Sequence, residues 1–266
     1  MVELVVAGAA GRMGGRLVAL ARETADLRVT GAFERPGHPA IGKDAGEVAG
    51  AGHLGVPIAA DPAPLLAPGR VLMEFTAPEP TLEHLRLVAA RGARAVVGTT
   101  GLQAAQVEEV RRLAARTAIL FSPNMSVGVN LAFRVLALMA RALGDDYDVE
   151  ITEIHHRMKK DAPSGTAAKM AEVVAEALGR RIEDAGVYGR HGLVGERTTK
   201  EIGVHALRGG DVVGEHTVVF STAGERLELT HRAHSRDTFA HGALRAARFV
   251  AAAPPGLYSM HDVLGL

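Results

Sequence analysis

The sequence contains no cysteine and no tryptophan among its 266 residues. The absence of cysteine excludes disulfides and thiolate metal sites. Aromatic residues make up only 4% of the chain and hydrophobic residues 47%, so aliphatic side chains must build the core. A chain of this length is long enough for one large domain or two smaller ones.

Neither sign of charge is in excess, because 30 Lys and Arg residues balance 30 Asp and Glu residues. A protein that binds nucleic acid in general carries a basic excess, so the composition argues against that class. The first residues, MVELVVAGAAG, lack the basic start and apolar core of a signal peptide. We also expect no stretch long and apolar enough to cross a bilayer. These absences predict a cytoplasmic protein that binds neither nucleic acid nor membrane.

Short apolar runs alternate with helical patterns through the first 126 residues. This alternation predicts a parallel sheet with helices on both faces. Ligands of such sheets bind beyond the carboxyl ends of the strands. The clusters GAAGRMG, EFTAP, GTTG and SPNMS fall at those ends.

The pattern changes after Ser126. A helical pattern over 127–143 precedes an alternating run over 148–156, a helix over 165–178 and three strand-like runs. Consecutive strands of this kind indicate an antiparallel or mixed sheet with one open face. We therefore predict an α/β protein whose first domain comprises 1–126 and 234–266, with a mixed-sheet α+β domain over 127–233.

A glycine-rich turn separates the first predicted strand from the first helix. Gly8 allows a tight turn, Gly11 lets the backbone approach a pyrophosphate, and Gly14 permits close packing of the helix on the strand. The amides at the start of the helix attract phosphate, and Arg12 is a candidate phosphate partner. The spacing is GxxGxxG rather than the commoner GxGxxG, and a glycine turn without a ligand remains the alternative.

The end of the second predicted strand carries Glu34 and Arg35. An acid there accepts hydrogen bonds from the ribose hydroxyls of NAD(H), whereas an arginine pairs with the 2′-phosphate of NADP(H). Together they predict a site that takes NADH or NADPH. Gly98, Thr99 and Thr100 form either an ordinary loop or a set of small side chains and amides for a flat ring.

The stretch EIHHRMKKDAPSGTA, residues 153–167, combines two histidines with a basic loop and a helix start. The side chains of His155 and His156 point to opposite sides if the strand continues, so both reach one ligand only where the backbone turns. Ser164 is a good N-cap, and the amides of Gly165 and Thr166 behind it are suited to a carboxylate oxygen.

The chemistry of this stretch depends on which side chains donate protons and on its positive charge. A histidine donates a proton near neutral pH, and Lys159 either neutralises a carboxylate or donates a proton. A solvated basic loop is the alternative, but clustered like charges repel unless an anion is near. We predict no metal, because adjacent histidines lack the i, i+4 helical spacing and no acid obviously completes a ligand set.

Segments along the whole chain resemble the 4-hydroxy-tetrahydrodipicolinate reductase family, also called dihydrodipicolinate reductase, of bacterial lysine and diaminopimelate biosynthesis. They are VAGAAGRMG, FERPGH, VLMEFTAPE, GTTG, FSPNMSVGVN, EIHHRMKKDAPSGTA, HALRGGDVVGEHTV and GERLELTHRAHSR. The resemblance implies a Rossmann-like cofactor domain and a mixed-sheet domain that binds substrate and pairs with its neighbours in a homotetramer. It also implies a small dicarboxylate substrate, with hydride passing from NADH or NADPH to ring C4, a proton added at the neighbouring carbon, and water lost on the way.

Residue roles follow from the resemblance by motif position. His155 corresponds to the general acid and Lys159 to a second catalytic residue. The substrate carboxylate contacts correspond to His156, Lys159, Gly165 and Thr166. The cofactor contacts correspond to Gly8, Arg12, Met13, Glu34, Arg35, Gly98, Thr100, Ser122, Pro123, Asn124 and Met125, to which the residues themselves add Gly11 and Thr99.

Some alternatives remain open. Glu74 stands where the family usually has Asp, and its longer arm is expected to affect the loop near the cofactor. Arg208 either steadies the active site or caps a turn. The competing functions are a related NAD(P)-dependent dehydrogenase of another small dicarboxylate and a nucleotide sensor without catalysis, which would have no use for His155 and Lys159.

Overall fold

The computed structural model describes all residues, 1–266, and the chain forms two compact units. Unit 1 comprises Met1–Val127 and Asp237–Leu266, and unit 2 comprises Gly128–Arg236. The last segment of the chain therefore returns to the unit with which the chain begins.

The elements follow in chain order. The first part holds β1 (Val2–Ala7), α1 (Arg12–Arg22), β2 (Leu27–Phe33), α2 (Ala45–Val48), β3 (Ile58–Ala59), β4 (Arg70–Glu74), α3 (Pro78–Arg91), β5 (Arg94–Val97), α4 (Ala104–Ala114) and β6 (Ala118–Phe121). The middle holds α5 (Val127–Leu143), β7 (Asp148–His155), α6 (Gly165–Ala177), α7 (Ile182–Ala185), β8 (Gly186–Tyr188), β9 (Ile202–Arg208), β10 (Gly214–Thr222) and β11 (Glu225–Ala233). The tail holds α8 (Asp237–Ala252), β12 (Gly256–Tyr258) and α9 (Met260–Leu264), and short 3-10 turns occur at Ala63–Leu65 and Gly144–Asp146.

Unit 1 is built on a seven-stranded sheet in the order β12-β6-β5-β4-β1-β2-β3, and every pair in it is parallel. Its central strands are apolar on both faces, and Leu4, Val5 and Val6 are all fully buried. Two core clusters lie among the buried residues of this unit, one containing Leu4 and Val6 and the other Val5. A strand buried on both faces needs such a continuous apolar run. The predicted parallel sheet is confirmed.

The helix α1 starts at the carboxyl end of β1 because glycine lets the two elements approach. A Cβ on Gly14 would stand 2.1 Å from the carbonyl oxygen of Gly8, so any larger residue would force the helix away from the turn. Gly8 itself has φ +60°, the left-handed region that glycine adopts without strain. This contact aims the start of α1 at the edge where ligands of parallel sheets bind.

Unit 2 contains a mixed five-stranded sheet in the order β11-β10-β7-β9-β8. The strand β10 runs antiparallel to both of its neighbours, whereas β7, β9 and β8 are parallel to one another. Burial alternates along β7, with Val149 and Ile151 inside, and the inner side shares a core with α5 and α6. The predicted mixed sheet is confirmed, but β7 lies between β9 and β10, so these two consecutive strands are not neighbours.

The expectation that no segment is apolar enough to span a membrane is wrong. Residues Val127–Asp146 form a helix that is long and apolar enough to cross a membrane, by length and composition alone. A core helix of a globular unit meets the same criteria, and α5 contributes Val129, Phe133 and Leu136 to the core of unit 2. Its apolar character therefore has a structural use in this fold.

Candidate active site

The glycine turn opens into a pocket of about 290 Å³ in unit 1, at the carboxyl ends of β1, β2 and β4. Its lining is Gly8, Gly11, Arg12, Met13, Gly14, Glu34, Phe75 and Thr76. Five residues predicted to contact the cofactor, from the glycine turn and from the end of β2, therefore lie around one cavity. Gly11 is exposed, and the chain leaves it to enter α1 at Arg12.

Glu34 joins the end of β2 to the glycine turn. Its carboxylate accepts a hydrogen bond from the Ala10 N–H at 3.1 Å and a longer one from the Arg35 N–H at 3.3 Å. The residue is 9% exposed, whereas Arg35 is exposed and is not among the residues that line the pocket. The acid thus braces the turn as well as lining the cavity.

Phe75 and Thr76 line the pocket but were not predicted as site residues. They follow β4, where the fully buried Glu74 accepts hydrogen bonds from the Thr76 N–H at 3.0 Å and from the Thr76 hydroxyl. The same carboxylate lies 2.6 Å from His84 Nδ1. The longer arm of Glu74 therefore reaches both α3 and the loop. The available signal was the EFTAP cluster at a strand end.

The predicted contacts at the ends of β5 and β6 lie outside this pocket's lining. A Cβ on Gly98 would stand 2.0 Å from the ring of Phe75, so glycine lets the two strand ends meet. The Thr99 hydroxyl is held by Thr81 at 2.8 Å and is buried, whereas Thr100 is exposed.

The Ser122–Met125 segment follows β6. The Ser122 hydroxyl donates to the Asn124 carbonyl at 2.8 Å, and the Asn124 side chain accepts from the Ser126 N–H at 2.9 Å. Pro123 is exposed, and Met125 is buried in the core of unit 1. Pro123 is the most exposed residue of this segment, while the Ser122 and Asn124 side chains fix the shape of the turn.

In unit 2, His155 is the last residue of β7 and lies against a buried carboxylate. Its Nδ1 is 2.6 Å from Glu153 Oε2. The Glu153 side chain is fully buried and also receives two hydrogen bonds from Arg208, at 2.8 and 3.0 Å. Of the two roles that the sequence left open for Arg208, the structure therefore favours the one that steadies the surroundings of His155.

The backbone turns at Arg157 and Met158, just after the two histidines. The His156 N–H donates to the Val212 carbonyl at 2.8 Å, and the Lys159 N–H donates to the His156 carbonyl at 3.1 Å. The Lys159 ammonium contacts both carboxylate oxygens of Asp161, at 2.9 and 2.8 Å, and its side chain is 19% exposed. This turn lies after both histidines and brings the Lys159 amide back to the His156 carbonyl.

The helix α6 begins next to these groups. The Ser164 hydroxyl caps it by accepting from the Ala167 N–H at 3.2 Å, so the cap is not directed at the amides of Gly165 and Thr166. The Ser164 N–H donates to Glu153 at 2.9 Å, and the Ser164 hydroxyl lies 3.1 Å from His216 Nε2. One buried carboxylate thus fixes both a histidine and a helix start.

His216 on β10 is a neutral neighbour of His155. Burial, and next the charge of His155, lower the pKa of His216 to about 4. The two rings meet edge to face with centroids 5.2 Å apart. No group of three or more His, Asp or Glu side chains in the chain has an arrangement that could hold a metal.

Comparison with known proteins adds decisive observations. The family model described as "Dihydrodipicolinate reductase, N-terminus" matches residues 2–125, and "Dihydrodipicolinate reductase, C-terminus" matches residues 128–264. The 4-hydroxy-tetrahydrodipicolinate reductase of Syntrophus aciditrophicus is 52% identical over 265 residues, which cover 100% of this chain and 99% of that protein. The chain belongs to the dihydrodipicolinate reductase family. The enzyme of the same name from Anaeromyxobacter dehalogenans strain 2CP-1 is 54% identical over 266 residues, covering 100% of this chain and 98% of its own.

A solved structure agrees with the fold. The dihydrodipicolinate reductase of Paenisporosarcina sp. TG-14, described as bound to dipicolinate, superposes with a TM-score of 0.77 and 23% identity over 98% of each chain. The C-terminal family model runs to residue 264, whereas residues from Asp237 onwards pack in unit 1. The family boundary and the structural boundary therefore differ at the tail.

As a member of the dihydrodipicolinate reductase family, the chain is an NAD(P)H-dependent oxidoreductase. The residues present fit such a cofactor. The absence of Cβ atoms at Gly8, Gly11 and Gly14 leaves the turn bare, and the turn leads into the amide end of an eleven-residue helix. A bare turn and a helix N-terminus together suit a pyrophosphate.

Proposed function

We propose that this chain reduces 4-hydroxy-tetrahydrodipicolinate, by way of dihydrodipicolinate, to tetrahydrodipicolinate in lysine and diaminopimelate biosynthesis. The observation that carries the proposal is identity of 52% and 54% over the full chain to relatives that bear this enzyme's name. The buried Glu153–His155 pair beside a basic loop supports it, because a reductase of a ring needs a proton donor as well as a hydride.

Unit 1 is proposed to bind the cofactor. The turn from Gly8 to Met13 holds the pyrophosphate. Glu34 accepts hydrogen bonds from the ribose hydroxyls and also braces the turn. Arg35, exposed beside it, is available for the 2′-phosphate of NADPH, so both cofactors are accepted. The strand ends at Gly98–Thr100 and Ser122–Met125 are proposed to contact the nicotinamide half.

Unit 2 is proposed to bind the substrate through its carboxylates. His156, Lys159 and the amides of Gly165 and Thr166 receive them, which explains why cations gather at this loop. The reductase from Paenisporosarcina is described with dipicolinate, a flat ring with two carboxylates of the same kind. The Lys159 ammonium contacts the Asp161 carboxylate, and a substrate carboxylate would compete with Asp161 for it.

The cofactor, when bound, supplies a hydride to ring C4. His155 is proposed to deliver a proton to the neighbouring carbon from its Nε2, because its Nδ1 is occupied by Glu153. Lys159 is the second catalytic residue, which stabilises the negative charge on the substrate while the proton is transferred.

The remaining proposals concern assembly and location. The protein is proposed to form a homotetramer in the cytoplasm, with residues 127–233 as the pairing domain. Apolar side chains exposed on this unit support the pairing, namely Leu193, Val194 and Leu207, of which Leu193 is fully exposed.

Turnover tests the proposal directly. The purified protein, mixed with NADH or NADPH and enzymatically made 4-hydroxy-tetrahydrodipicolinate, should consume the reduced nicotinamide, followed by its absorbance. His155→Ala should lower kcat by about 100-fold, which is the low end of what a positioned proton donor contributes.

The matched control is His241→Ala, since His241 is an exposed histidine of α8 in the other unit. It should leave kcat unchanged. A wild-type protein that consumes no cofactor contradicts the proposed function, and equal turnover of His155→Ala and the wild type contradicts the role given to His155.

A further inference from the structure

His155 is one member of a closed set of buried polar contacts in unit 2. Glu153 Oε2 accepts from His155 Nδ1 and Arg208 Nη1, and Glu153 Oε1 accepts from Arg208 Nη2 and the Ser164 N–H. All four distances lie between 2.6 and 3.0 Å. A fully buried carboxylate whose two oxygens are both hydrogen-bonded in this way is held rigidly in place.

We propose that Glu153, held in place by Arg208, is a positioning residue that keeps His155 protonated on Nδ1 and leaves Nε2 as its reacting nitrogen. This inference rests on the proposed function, in which His155 is the proton donor. It adds two residues to the site and states what each of them does.

The nitrogen of His155 that carries the proton follows from the charge of Glu153. Burial alone raises the pKa of the Glu153 carboxyl, but hydrogen bonds from Arg208, His155 and the Ser164 N–H outweigh it and keep that pKa below its ordinary value. Glu153 is therefore an anion that only accepts, so the proton of the 2.6 Å bond lies on His155 Nδ1. The tautomer of an imidazole follows from the bond that its other nitrogen makes.

The opposite nitrogen of His155, Nε2, is left open. No hydrogen bond within the chain involves His155 Nε2, and the side chain is 11% exposed. A Cβ added at Gly214 would stand 2.9 Å from Nε2. Glycine therefore leaves Nε2 uncovered on this side, and any side chain at position 214 would block the approach of a substrate.

The charge of Glu153 is balanced beside His155. A buried carboxylate facing an imidazole alone would favour the imidazolium and resist proton release. Arg208 on β9 supplies the balancing positive charge, and its Nη2 is tied to the Asp161 carbonyl at 2.6 Å. The ring of His216 on β10 lies against His155, the ring of His231 on β11 is 6.4 Å from that of His216, and the Lys159–Asp161 pair is on the loop that follows β7. Burial lowers the pKa of both His216 and His231 and the loop pair is balanced, so Arg208 is the cation that balances Glu153 beside His155.

The test uses Glu153→Gln, which keeps the shape of the side chain but removes its charge, and Arg208→Gln, which removes the balancing cation. The control is Glu150→Gln. Glu150 is a half-buried carboxylate, also on β7, that binds Arg190 and His205 at 2.9 and 2.7 Å. Side chains alternate along a strand, so Glu150 lies on the face of β7 opposite to Glu153.

Two readouts separate positioning from mere folding. The first is the kcat and KM of each variant across pH. The second is hydrogen–deuterium exchange at the imidazole Cε1, read residue by residue by mass spectrometry, which follows the titration of His155 without needing turnover. Glu153→Gln should lower kcat by about 30-fold or more with KM changed less than about 3-fold.

The labelling midpoint of His155 should move in opposite directions in the two variants. It should fall by about one pH unit in Glu153→Gln and rise by about one in Arg208→Gln, the shift that one nearby charge produces. Glu150→Gln should leave it unchanged. If Glu153→Gln does not fold, Arg208→Gln decides, since Arg208 is only half-buried.

An unchanged His155 midpoint in the folded variants would overturn the inference, as would an equal shift in Glu150→Gln. Failure of the proposed function is a different result, namely no cofactor consumption by the wild type. The labelling experiment gives its answer in either case.

Discussion

At the scale of single residues, the buried polar side chains are the informative ones. Glu74 and Glu153 are almost fully excluded from solvent, and each binds a histidine at 2.6 Å. Burying a charged group is unfavourable unless hydrogen bonds compensate it. In both places the hydrogen bonds that offset the cost of burying the carboxylate also fix a loop or a helix start beside a candidate site.

His216 gives the protein a specific response to acid. Its pKa is lowered from 6.5 to about 4 in the folded chain, so the unfolded chain binds its proton first as the pH falls. The stability that it contributes is therefore fully present above pH 6.5 and is lost progressively towards pH 4. The slope of this loss is about 1.4 kcal/mol per pH unit.

The variant His216→Gln should remove that part of the pH dependence. Glutamine keeps a hydrogen-bonding group near Ser164 but does not titrate. Unfolding by urea at about pH 7.5 and about pH 5 should show a loss of stability smaller than that of the wild type by about 2 kcal/mol. The exposed His241→Gln is the control. Equal losses in wild type and His216→Gln would contradict the assignment.

At the scale of elements, strand ends and helix starts carry the chemistry. The glycine turn connects β1 to α1, and the turn after β7 leads to α6, whose cap is Ser164. In both cases the amides at a helix N-terminus are presented next to a strand end, which is an arrangement suited to anions.

Two neighbouring glycines of α1 provide a matched test of the first arrangement. A Cβ on Gly14 would meet the Gly8 carbonyl oxygen at 2.1 Å, whereas a Cβ on Gly15 would make an ordinary contact at 3.8 Å with the Ala9 carbonyl oxygen. Gly14→Ala should displace α1 from the turn and weaken NADH binding by about 10-fold or more, since the phosphate amides move. Gly15→Ala should stabilise the fold by about 0.5–1 kcal/mol.

NADH fluorescence titration and thermal unfolding measure these two effects. NADH affinity in Gly14→Ala equal to that in Gly15→Ala would show that the close contact of helix and turn is not needed for the cofactor.

At the scale of the whole molecule, the order of the elements in the chain is not their order in space. The helix α8 follows unit 2 in the sequence but packs on α1, β4, β5 and β6 of unit 1. Gly242 permits this, because a Cβ there would stand 1.8 Å from the Met125 carbonyl oxygen. Unit 1 is therefore completed only after the chain has passed through unit 2.

Assembly is tested at the same scale. Leu193 is fully exposed in the single chain, so Leu193→Asp should not lower the stability of an isolated protomer. If unit 2 pairs through the loop that contains Leu193, the substitution should shift the protein from tetramer to smaller species in light scattering. Leu266→Asp, on an exposed apolar side chain of unit 1, is the control. A tetramer in both variants would exclude the loop containing Leu193 as a pairing surface.

Much of the site was accessible to sequence reasoning because motifs are local. The glycine turn, the acid at the end of β2 and the His155–His156 pair lie in short segments with a direct physical meaning, and five of the predicted cofactor residues line one pocket. The alternation of strands and helices likewise predicted the parallel sheet. The helix over 127–143 was predicted. That it is long and apolar enough to cross a membrane was not.

The sequence by itself determined which chemical groups are available and which strand ends carry them, because those patterns extend over a few neighbouring residues. Only the tertiary structure decided which groups meet. Arg208 reaches Glu153 because β9 pairs in parallel with β7 and brings Arg208 beside His155. A strand pairing of this kind depends on burial of whole faces across the sheet, and no local pattern in either segment specifies its partner.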